Sequence, residues 1–258
     1  MELKVLGSSS AGNCYVFDNG KEALVVECGV RFIDIKKAVC FDVSRIVGCL
    51  VSHEHSDHAK YAKSLIGERI PVYASSGTIA AIRGEESLDA VKVLIPLERT
   101  SIGNFVVLPF DVQHDAAEPM NFLISHPEMG TTLFATDCRE LPYKFKGLNN
   151  ILIECNHSVG IVEDKLRRGA ITEAQSVRTL RNHLSYETCL EMLAENDLSK
   201  VNNIVLIHLS DGNSNADYFL QGVKAQTGKT VHVADKGMVI NFNKKTFLKQ
   251  THRDERIN

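Results

Sequence analysis

Short apolar runs with high β-propensity recur along this chain, and segments with helical spacing separate them. Runs of this length, bounded by polar and glycine-containing segments, predict strands. The predicted strands span residues 3–6, 14–17, 23–27, 46–51, 105–110, 121–124, 131–135, 151–153, 201–207, 230–233 and 238–240. Apolar residues three or four apart predict helices over residues 57–65, 78–83, 172–183, 186–194 and 215–226. Mixed strands and helices in one unit imply sheets covered by helices.

No Pro/Gly/Ser-rich linker or internal repeat divides the chain, so the sequence predicts one domain. A chain of 258 residues with 44% hydrophobic residues can bury one large core. We expect this domain to span residues 1–243, followed by a polar, basic tail over residues 244–258 that touches nucleic acid or is disordered.

Composition excludes several classes of protein. The formal net charge of −3 lacks the global basic excess typical of nucleic-acid binding, although a local basic patch is compatible with it. No apolar segment is long enough to cross a bilayer, and the start of the chain does not resemble a secretory signal. The seven cysteines are odd in number and form no C-x-x-C pair, which predicts reduced, mostly buried thiols. We therefore expect a cytoplasmic protein without a membrane partner; the oligomeric state stays open.

One tight loop carries four strong metal ligands: His53, His55, Asp57 and His58. Three imidazoles and a carboxylate exceed what one tetrahedral ion takes from a single loop, which suggests two neighbouring ions. A solvated histidine-rich turn is the simpler explanation. That explanation leaves a second pattern unaccounted for.

Several predicted strands end in a residue suited to metal or proton chemistry. These residues are His53, Asp137, Glu154 and His208, and His114 follows its strand by one turn. Side chains at strand ends are held rigidly yet exposed at a sheet edge, where loops build sites. Asp137 or His208 taken singly is also compatible with a role as a helix or turn cap.

These residues predict a dinuclear site. His53, His55 and His114 would hold one ion, Asp57, His58 and His208 the second, and Asp137 would bridge both. Two ions about 3.5–4 Å apart can share a hydroxide, and their excess positive charge favours an anionic substrate such as a phosphate ester. Imidazoles favour zinc, but mixed nitrogen and carboxylate ligands also accept manganese or iron.

The H-x-H-x-D-H motif of residues 53–58, with His114, Asp137 and His208 in matching order, resembles that of the metallo-β-lactamase fold superfamily. The resemblance implies an α/β fold: an αβ/βα four-layer sandwich of two mixed β-sheets covered by helices. Further motifs resemble the YycJ/WalJ branch, which is similar to ribonuclease Z-type enzymes. They are Gly7-Ser8-Ser9-Ser10-Ala11-Gly12-Asn13-Cys14, Glu27-Cys28-Gly29, His114-Asp115-Ala116, Thr136-Asp137-Cys138, Glu154-Cys155-Asn156-His157, His183-Leu184-Ser185 and His208-Leu209-Ser210. Glu27 departs from the family, which usually carries Asp there.

The resemblance implies a metal-dependent phosphodiesterase that uses metal-bound hydroxide, most specifically a DNA exonuclease acting from 5′ ends. It implies that His183, oriented by Glu154, protonates the leaving oxygen; we expect Asp57 to join them in catalysis. A carboxylate-paired imidazole is a suitable donor near neutral pH. The alternative is that His183 is a cap or core histidine ahead of the next helix.

Substrate contacts are expected from a local concentration of cations, Arg178 and Arg181 with Lys165, Arg167 and Arg168, that could hold backbone phosphates. Ser8, Ser9 and Asn13 lie on a glycine-flanked loop suited to a terminal phosphate. A solvated helix face and a plain turn are the respective alternatives.

Three other functions are compatible with parts of the sequence. An RNA-processing nuclease uses the same ligands, with DNA preferred here through the branch resemblance. A glyoxalase II-like hydrolase of a small thioester or lactone also explains the ligands, but leaves His183, Glu154 and the arginines without a role. A non-catalytic scaffold is disfavoured because the ligand set is complete.

Overall fold

Two seven-stranded sheets form the centre of the structure, a computed structural model that describes residues 1–83 and 90–244. The first sheet contains β1 (Glu2–Gly7), β2 (Cys14–Asp18), β3 (Ala23–Val26), β4 (Ile46–Leu50), β5 (Val72–Ala74), β6 (Val91–Val93) and β14 (Val239–Asn241). The second contains β7 (Thr100–Ile102), β8 (Phe105–Asp111), β9 (Met120–His126), β10 (Gly130–Ala135), β11 (Leu148–Glu154), β12 (Asn203–Ile207) and β13 (Thr230–Val233). All eleven predicted strands are present, with ends shifted by up to three residues. The three-residue strands β5, β6 and β7 were not predicted because so short a run shows no periodicity.

Both sheets are antiparallel in one half and parallel in the other. The spatial orders are β14-β1-β2-β3-β4-β5-β6 and β13-β12-β11-β10-β9-β8-β7. Strands β3 to β6 are parallel in the first sheet, and β10 to β13 are parallel in the second. Parallel neighbours bring their carboxyl ends to the same edge, which is where sites form in α/β proteins.

Helices cover the outer faces of the sheets. They are α1 (Phe32–Ala38), α2 (Ser56–Ala59), α3 (Ala62–Gly67), α4 (Ser76–Arg83), α5 (Val159–Arg167), α6 (Glu173–Asn182), α7 (Tyr186–Glu195) and α8 (Ala216–Thr227). The single helix predicted over residues 57–65 is wrong, because two short helices replace it. The helical hydrogen bonding is interrupted at Tyr61, whose N–H donates to the carbonyl of Cys28 at 3.0 Å. Helices α1 and α5 were not predicted.

Period-two alternation divides the apolar side chains between inner and outer layers. In β3, Leu24 and Val26 face the core between the sheets, whereas Ala23 and Val25 face the helices. Large aromatic side chains, including Phe17, Phe105, Phe122 and Phe134, fill the space between the sheets. A fully buried side chain of this kind contributes about 1.5–3 kcal/mol through the hydrophobic effect.

Two further cores hold the helices on the sheets. Ile35, Leu65 and Ile79 bring α1, α3 and α4 onto the first sheet. Cys189 and Phe219 bring α7 and α8 onto the second. The result is helix, sheet, sheet, helix, so the predicted αβ/βα four-layer sandwich is confirmed.

All seven cysteines are free thiols, and only Cys40 is exposed, as the sequence predicts. No helix among the described residues has both the length and the apolar character that a bilayer span requires. The predicted basic tail begins with the exposed Lys244, and its residues 245–258 lie outside the described part of the chain.

Candidate metal centre

The loop of the H-x-H-x-D-H motif connects β4 to α2 and is held by the backbone of the neighbouring segments. The N–H groups of Asn13 and Cys28 donate to the carbonyls of Asp57 and His58, each at 2.7 Å. These bonds fix the loop at the carboxyl ends of β3 and β4, which pair in parallel. Ligand positions therefore rest on the sheet rather than on a free loop.

A first group of donors contains His53, His55, His114 and Asp137, whose candidate ligand atoms all lie within 4.8 Å of one another. Nδ1 of His55 lies 3.2 Å from Nε2 of His114. Nε2 of His53 lies 3.4 Å from Oδ2 of Asp137. This is the set that the sequence assigns to one ion.

Hydrogen bonds orient two of these imidazoles. Nδ1 of His114 donates to the carbonyl of Asn182 at 3.0 Å, which leaves the lone pair of Nε2 directed at the cluster. Nδ1 of His53 lies 2.9 Å from Oγ of Ser52. Burial lowers the pKa of both His53 and His114, so both favour the neutral form that binds metals.

A second group contains Asp57, His58, His208 and again Asp137, also within 4.8 Å. Nε2 of His58 lies 2.9 Å from Oδ2 of Asp137, and Nε2 of His208 lies 3.3 Å from Oδ2 of Asp57. Burial opposes the charged form of His58 and His208, but Asp137 and the other carboxylates around them raise the pKa of both above the usual value. The carboxylates around these two imidazoles therefore favour a positive charge at this position.

Asp137 belongs to both groups and lies between them. Three residues at this sheet edge, Glu27, Asp137 and His208, have positive φ angles of 64°, 42° and 54°. Non-glycine residues rarely adopt this conformation, and it is maintained where the surrounding structure enforces it, often at functional sites. Each of the three residues follows a strand, so the turn directs its side chain toward the cluster.

The donor set fits a pair of divalent cations. Nε2 of His53 and Nε2 of His208 are buried and have no hydrogen-bond partner among the described residues. Buried polar atoms are almost always paired, so these orphaned nitrogens indicate ligand positions. Imidazole nitrogens combined with carboxylate oxygens are the donors that zinc, manganese and iron accept.

Glu154 supports the cluster from its completely buried position at the end of β11. Its Oε1 lies 2.7 Å from Nδ1 of His183 and 3.1 Å from Nδ1 of His208. Its Oε2 accepts hydrogen bonds from the backbone N–H groups of Leu184 and Cys138. One carboxylate thus connects the turns that carry Asp137, His183 and His208.

His183 lies at the C-terminal end of α6. The N-cap of the next helix is Ser185, whose side chain accepts a hydrogen bond from the N–H of Thr188, so His183 does not have that role. Its side chain is 23% exposed. Burial opposes its charge, but Glu154 and Asp137 raise its pKa to about 9. The family resemblance pairs His183 with Glu154, and the structure brings the two side chains into contact.

Glu27, the residue that departs from the family pattern, is completely buried. Its Oε1 accepts from the N–H of Ser52 at 3.3 Å, and its Oε2 lies 3.5 Å from Nδ1 of His58. The longer side chain therefore still reaches the motif loop.

A central cavity of about 140 Å³ opens at the cluster. It is lined by Ser10, His55, Asp57, His114, Asp137, Arg178, Asn182, His183 and His208. Arg178 is thus at the site, whereas Arg181 lines an adjacent cavity. Arg167 and Arg168 instead pair with Asp164.

The serine loop lies beside the second donor group. Asn13 is buried and contacts Asp57 and His58, with its Nδ2 3.2 Å from Nε2 of His58. Oγ of Ser8 accepts from the N–H of His208 at 2.9 Å, and Ser9 faces a cavity on the other side of the loop. Their direct contact with substrate stays a prediction. Ser10, which the sequence interpretation overlooked within the serine run, is the loop residue that lines the central cavity.

Comparison with known proteins agrees with this geometry. Residues 9–132 match the model of the Metallo-beta-lactamase superfamily. Exodeoxyribonuclease YycJ of Bacillus anthracis is 29% identical over 227 residues, which cover 83% of this chain and 84% of that protein. Exodeoxyribonuclease WalJ of Streptococcus pneumoniae is 27% identical over 229 residues, which cover 83% of each chain.

A solved structure extends the similarity to the whole fold. The metallo-beta-lactamase fold protein YhfI from Bacillus subtilis superposes with a TM-score of 0.68 at 17% sequence identity, covering 93% of this chain and 99% of that one. The ligand motif, the two sheets and these relatives agree: this chain is a metallo-β-lactamase-fold, metal-dependent hydrolase related to the YycJ and WalJ nucleases.

Proposed function

We propose that this hydrolase is a dinuclear phosphodiesterase that degrades DNA from 5′ ends. The observation that carries the proposal is the contact between Glu154 and His183, because His183 lines the same central cavity as residues of both donor groups. Hydrolysis of a phosphodiester needs a proton donor for a poor alkoxide leaving group, whereas a thioester releases a thiolate that leaves without protonation. The related nucleases named above supply the preference for DNA.

The residues that would hold the two ions are those of the two donor groups. His53, His55 and His114 form one set, Asp57, His58 and His208 the other, and Asp137 serves both. Such ions, when bound, lower the pKa of coordinated water and neutralise the charge of a phosphate. Zinc is the ion that this imidazole-rich set favours, with manganese and iron as alternatives.

Protons are moved by two side chains that reach the cavity. Asp57 is 20% exposed, whereas Asp137 is 3% exposed. We assign to the Asp57 carboxylate the proton released when water bonds to phosphorus. We assign to Nε2 of His183 the proton that the leaving oxygen takes when its bond to phosphorus breaks, because Nδ1 is engaged by Glu154. Glu154 positions the ring and stabilises its charge.

Arg178 is suited to the substrate phosphate. It lines the central cavity, and no acidic side chain among the described residues pairs with it. A free guanidinium can bind two phosphate oxygens at once. Arg181 lies one helical turn further along α6 and is proposed to contact the next phosphate, with Ser8, Ser9 and Asn13 retained as candidate contacts of the terminal phosphate.

The second candidate is an RNA-processing nuclease, for which the same residues would serve. The protein should be incubated with single- and double-stranded DNA and RNA that carry a radioactive phosphate at the 5′ or 3′ end, with zinc, manganese or iron. We expect a 5′-labelled DNA strand to release labelled mononucleotide at once and a 3′-labelled strand to shorten stepwise. Undiminished cleavage in the presence of a chelator and by Asp137→Ala would refute a metal-dependent phosphodiesterase, and faster cleavage of RNA would favour the second candidate.

A further inference from the structure

Three cavities adjoin one another along α6. The central cavity shares His114, Arg178 and Asn182 with a cavity of about 580 Å³ that Arg181 also lines, called here the exit cavity. On its other side it shares Ser10, Arg178 and His183 with a cavity of about 330 Å³. We call this second neighbour the terminal cavity. Arg178 is the residue common to all three, so the three spaces are neighbours around this side chain, next to the candidate metal centre.

We infer that the terminal cavity binds the 5′-terminal nucleotide of a single strand, which sets both the direction and the step of cleavage. The inference rests on the proposed nuclease function and adds a subsite to it. A volume of about 330 Å³ lies at the low end of the range of roughly 300–1,000 Å³ typical of small-ligand sites. It accommodates one nucleotide rather than a duplex end.

The chemistry of the terminal cavity suits a nucleotide. Its described lining residues include no aspartate or glutamate, but they include the polar Asn156, Thr179 and Asn213 beside Arg178. Nζ of Lys165 lies 3.1 Å from Oδ1 of Asn213, which adds a second positive charge at the wall. Amide and hydroxyl groups can bond base edges, and the cations attract phosphate.

A larger cavity elsewhere is less suitable for an anion. The space of about 860 Å³ on the far side of the serine loop is lined by Asp211 and Asp235 as well as by Lys236. It does not include a residue of either donor group. Volume alone would select this cavity, but its two aspartates favour the terminal cavity, whose described lining has no acidic side chain and includes His183.

The position of His183 assigns the direction. His183 lines the central and terminal cavities, and the described lining of the exit cavity does not include it. The oxygen that His183 protonates therefore belongs to the nucleotide in the terminal cavity, while phosphorus remains with the strand in the exit cavity. When the broken bond joins phosphorus to O3′, the nucleotide released is the 5′-terminal one.

Blocked substrates test the inference without any variant. Single strands carrying a bulky fluorophore on the 5′ phosphate or on the 3′ hydroxyl should be compared with an unblocked strand. We expect the 5′ block to slow cleavage at least 10-fold and the 3′ block to leave the rate unchanged. Cleavage of all three strands at equal rates, or inhibition by the 3′ block, would contradict the binding of the 5′-terminal nucleotide in the terminal cavity. The nuclease activity itself would still be established. Failure to cleave any strand would instead refute the proposed function.

Binding provides a readout that is independent of turnover. Thymidine 5′-monophosphate should be titrated calorimetrically into the protein, into Arg178→Ala and into Thr179→Phe, which fills the terminal cavity. Arg99→Ala is the matched control, because Arg99 is exposed and lines none of the three cavities. We expect affinity to fall at least 10-fold in both cavity variants and to be unchanged in the control. Unchanged affinity in Thr179→Phe, with native circular dichroism, would contradict the inference.

Discussion

Nδ1 of His183 lies 2.7 Å from Oε1 of Glu154, and the glutamate is completely buried. The contact determines which ring nitrogen is available, because Nδ1 is committed to the carboxylate and Nε2 is left for the cavity. Two backbone N–H groups hold the other carboxylate oxygen in place. The pair is therefore rigid, as a proton donor of fixed direction requires.

Substitution of His183 should slow hydrolysis to an extent that depends on the leaving group of the substrate. General acid catalysis contributes about 10²- to 10⁴-fold, so His183→Ala should slow cleavage of an oligonucleotide by that factor. The p-nitrophenyl ester of thymidine 5′-monophosphate releases a stable phenolate that needs no proton, and its hydrolysis should slow by less than about 10-fold. The measurement is kcat for both substrates, with metal content determined by mass spectrometry in parallel.

An equal loss on both substrates, with metal content unchanged, would contradict the role of His183 as a proton donor. A parallel loss of metal would show that His183 acts through the ions instead. Glu154→Gln should reproduce part of the effect, because the amide keeps a contact with the ring but removes the negative charge that stabilises its protonated form.

Asp137 should determine whether both ions bind. It belongs to both donor groups, so Asp137→Ala should reduce the metal content from two ions per chain to less than one, whereas His55→Ala should remove one. Ligand binding stabilises the native state by about 2.7 kcal/mol at a concentration 100 times Kd. We therefore expect added zinc to raise the Tm of the native protein and not that of Asp137→Ala.

The matched control is His232→Gln on β13, because His232 lies outside the donor groups. It should retain two ions and the zinc-dependent rise in Tm. If Asp137→Ala still binds two ions, this carboxylate is dispensable. That result would contradict its assignment as a ligand shared by both ions.

Much of the candidate site could be predicted because the polar residue that ends a strand is visible in sequence. Asp137 and His208 follow β10 and β12, and Glu154 is the last residue of β11. These strands are parallel neighbours, so the positions of the three residues at one edge follow from topology. His114 and the motif loop come from the two different sheets, and their meeting, at 3.2 Å between His55 and His114, required the resemblance to a known fold.

Other features had no sequence signal. The group that orients His114 is the backbone carbonyl of Asn182, which every residue possesses. Helix α5 begins without a side-chain cap of its own, and Glu187 of α7 instead accepts from the N–H of Val159 at 3.1 Å. Contacts between residues far apart in the sequence can thus stabilise a helix that its local sequence pattern does not predict.

We expect Glu27 to tune the metal affinity of the donor group that contains His58. Loss of a carboxylate that orients a metal-binding histidine typically costs 10- to 100-fold in affinity, so about that decrease is expected for Glu27→Gln. Its Oε2 lies 3.5 Å from Nδ1 of His58, and no contact is found between Glu27 and His53 or His114 among the described residues. Competition with a chromophoric chelator should show one weakened site and one of normal affinity. Weakening of both sites equally would indicate a general loss of structure.

A salt bridge far from the site predicts how stability depends on pH. Asp18 is bound by Nζ of Lys4 at 2.8 Å and by Nη1 of Arg45 at 2.7 Å, and its Oδ1 accepts from the N–H of Gly20. Burial alone would raise the pKa of Asp18, but these hydrogen bonds lower it overall. A carboxylate whose pKa is lower in the folded protein stabilises the fold above its unfolded pKa of about 3.9.

That stabilisation is lost as the pH falls through the folded pKa. Asp18→Asn should therefore reduce the free energy of unfolding by about 1.5–3 kcal/mol at pH 7, the range for hydrogen bonds to charged groups, and the difference should shrink below about pH 4. Urea denaturation of both proteins at pH 7 and at pH 3 measures this, with Glu191→Gln, which removes an exposed carboxylate on α7, as the control. A difference that is constant between the two pH values would contradict a stabilising role of the Asp18 charge, because protonation at low pH should remove the interaction that the amide lacks. A difference that grows on acidification would contradict the lowered pKa itself.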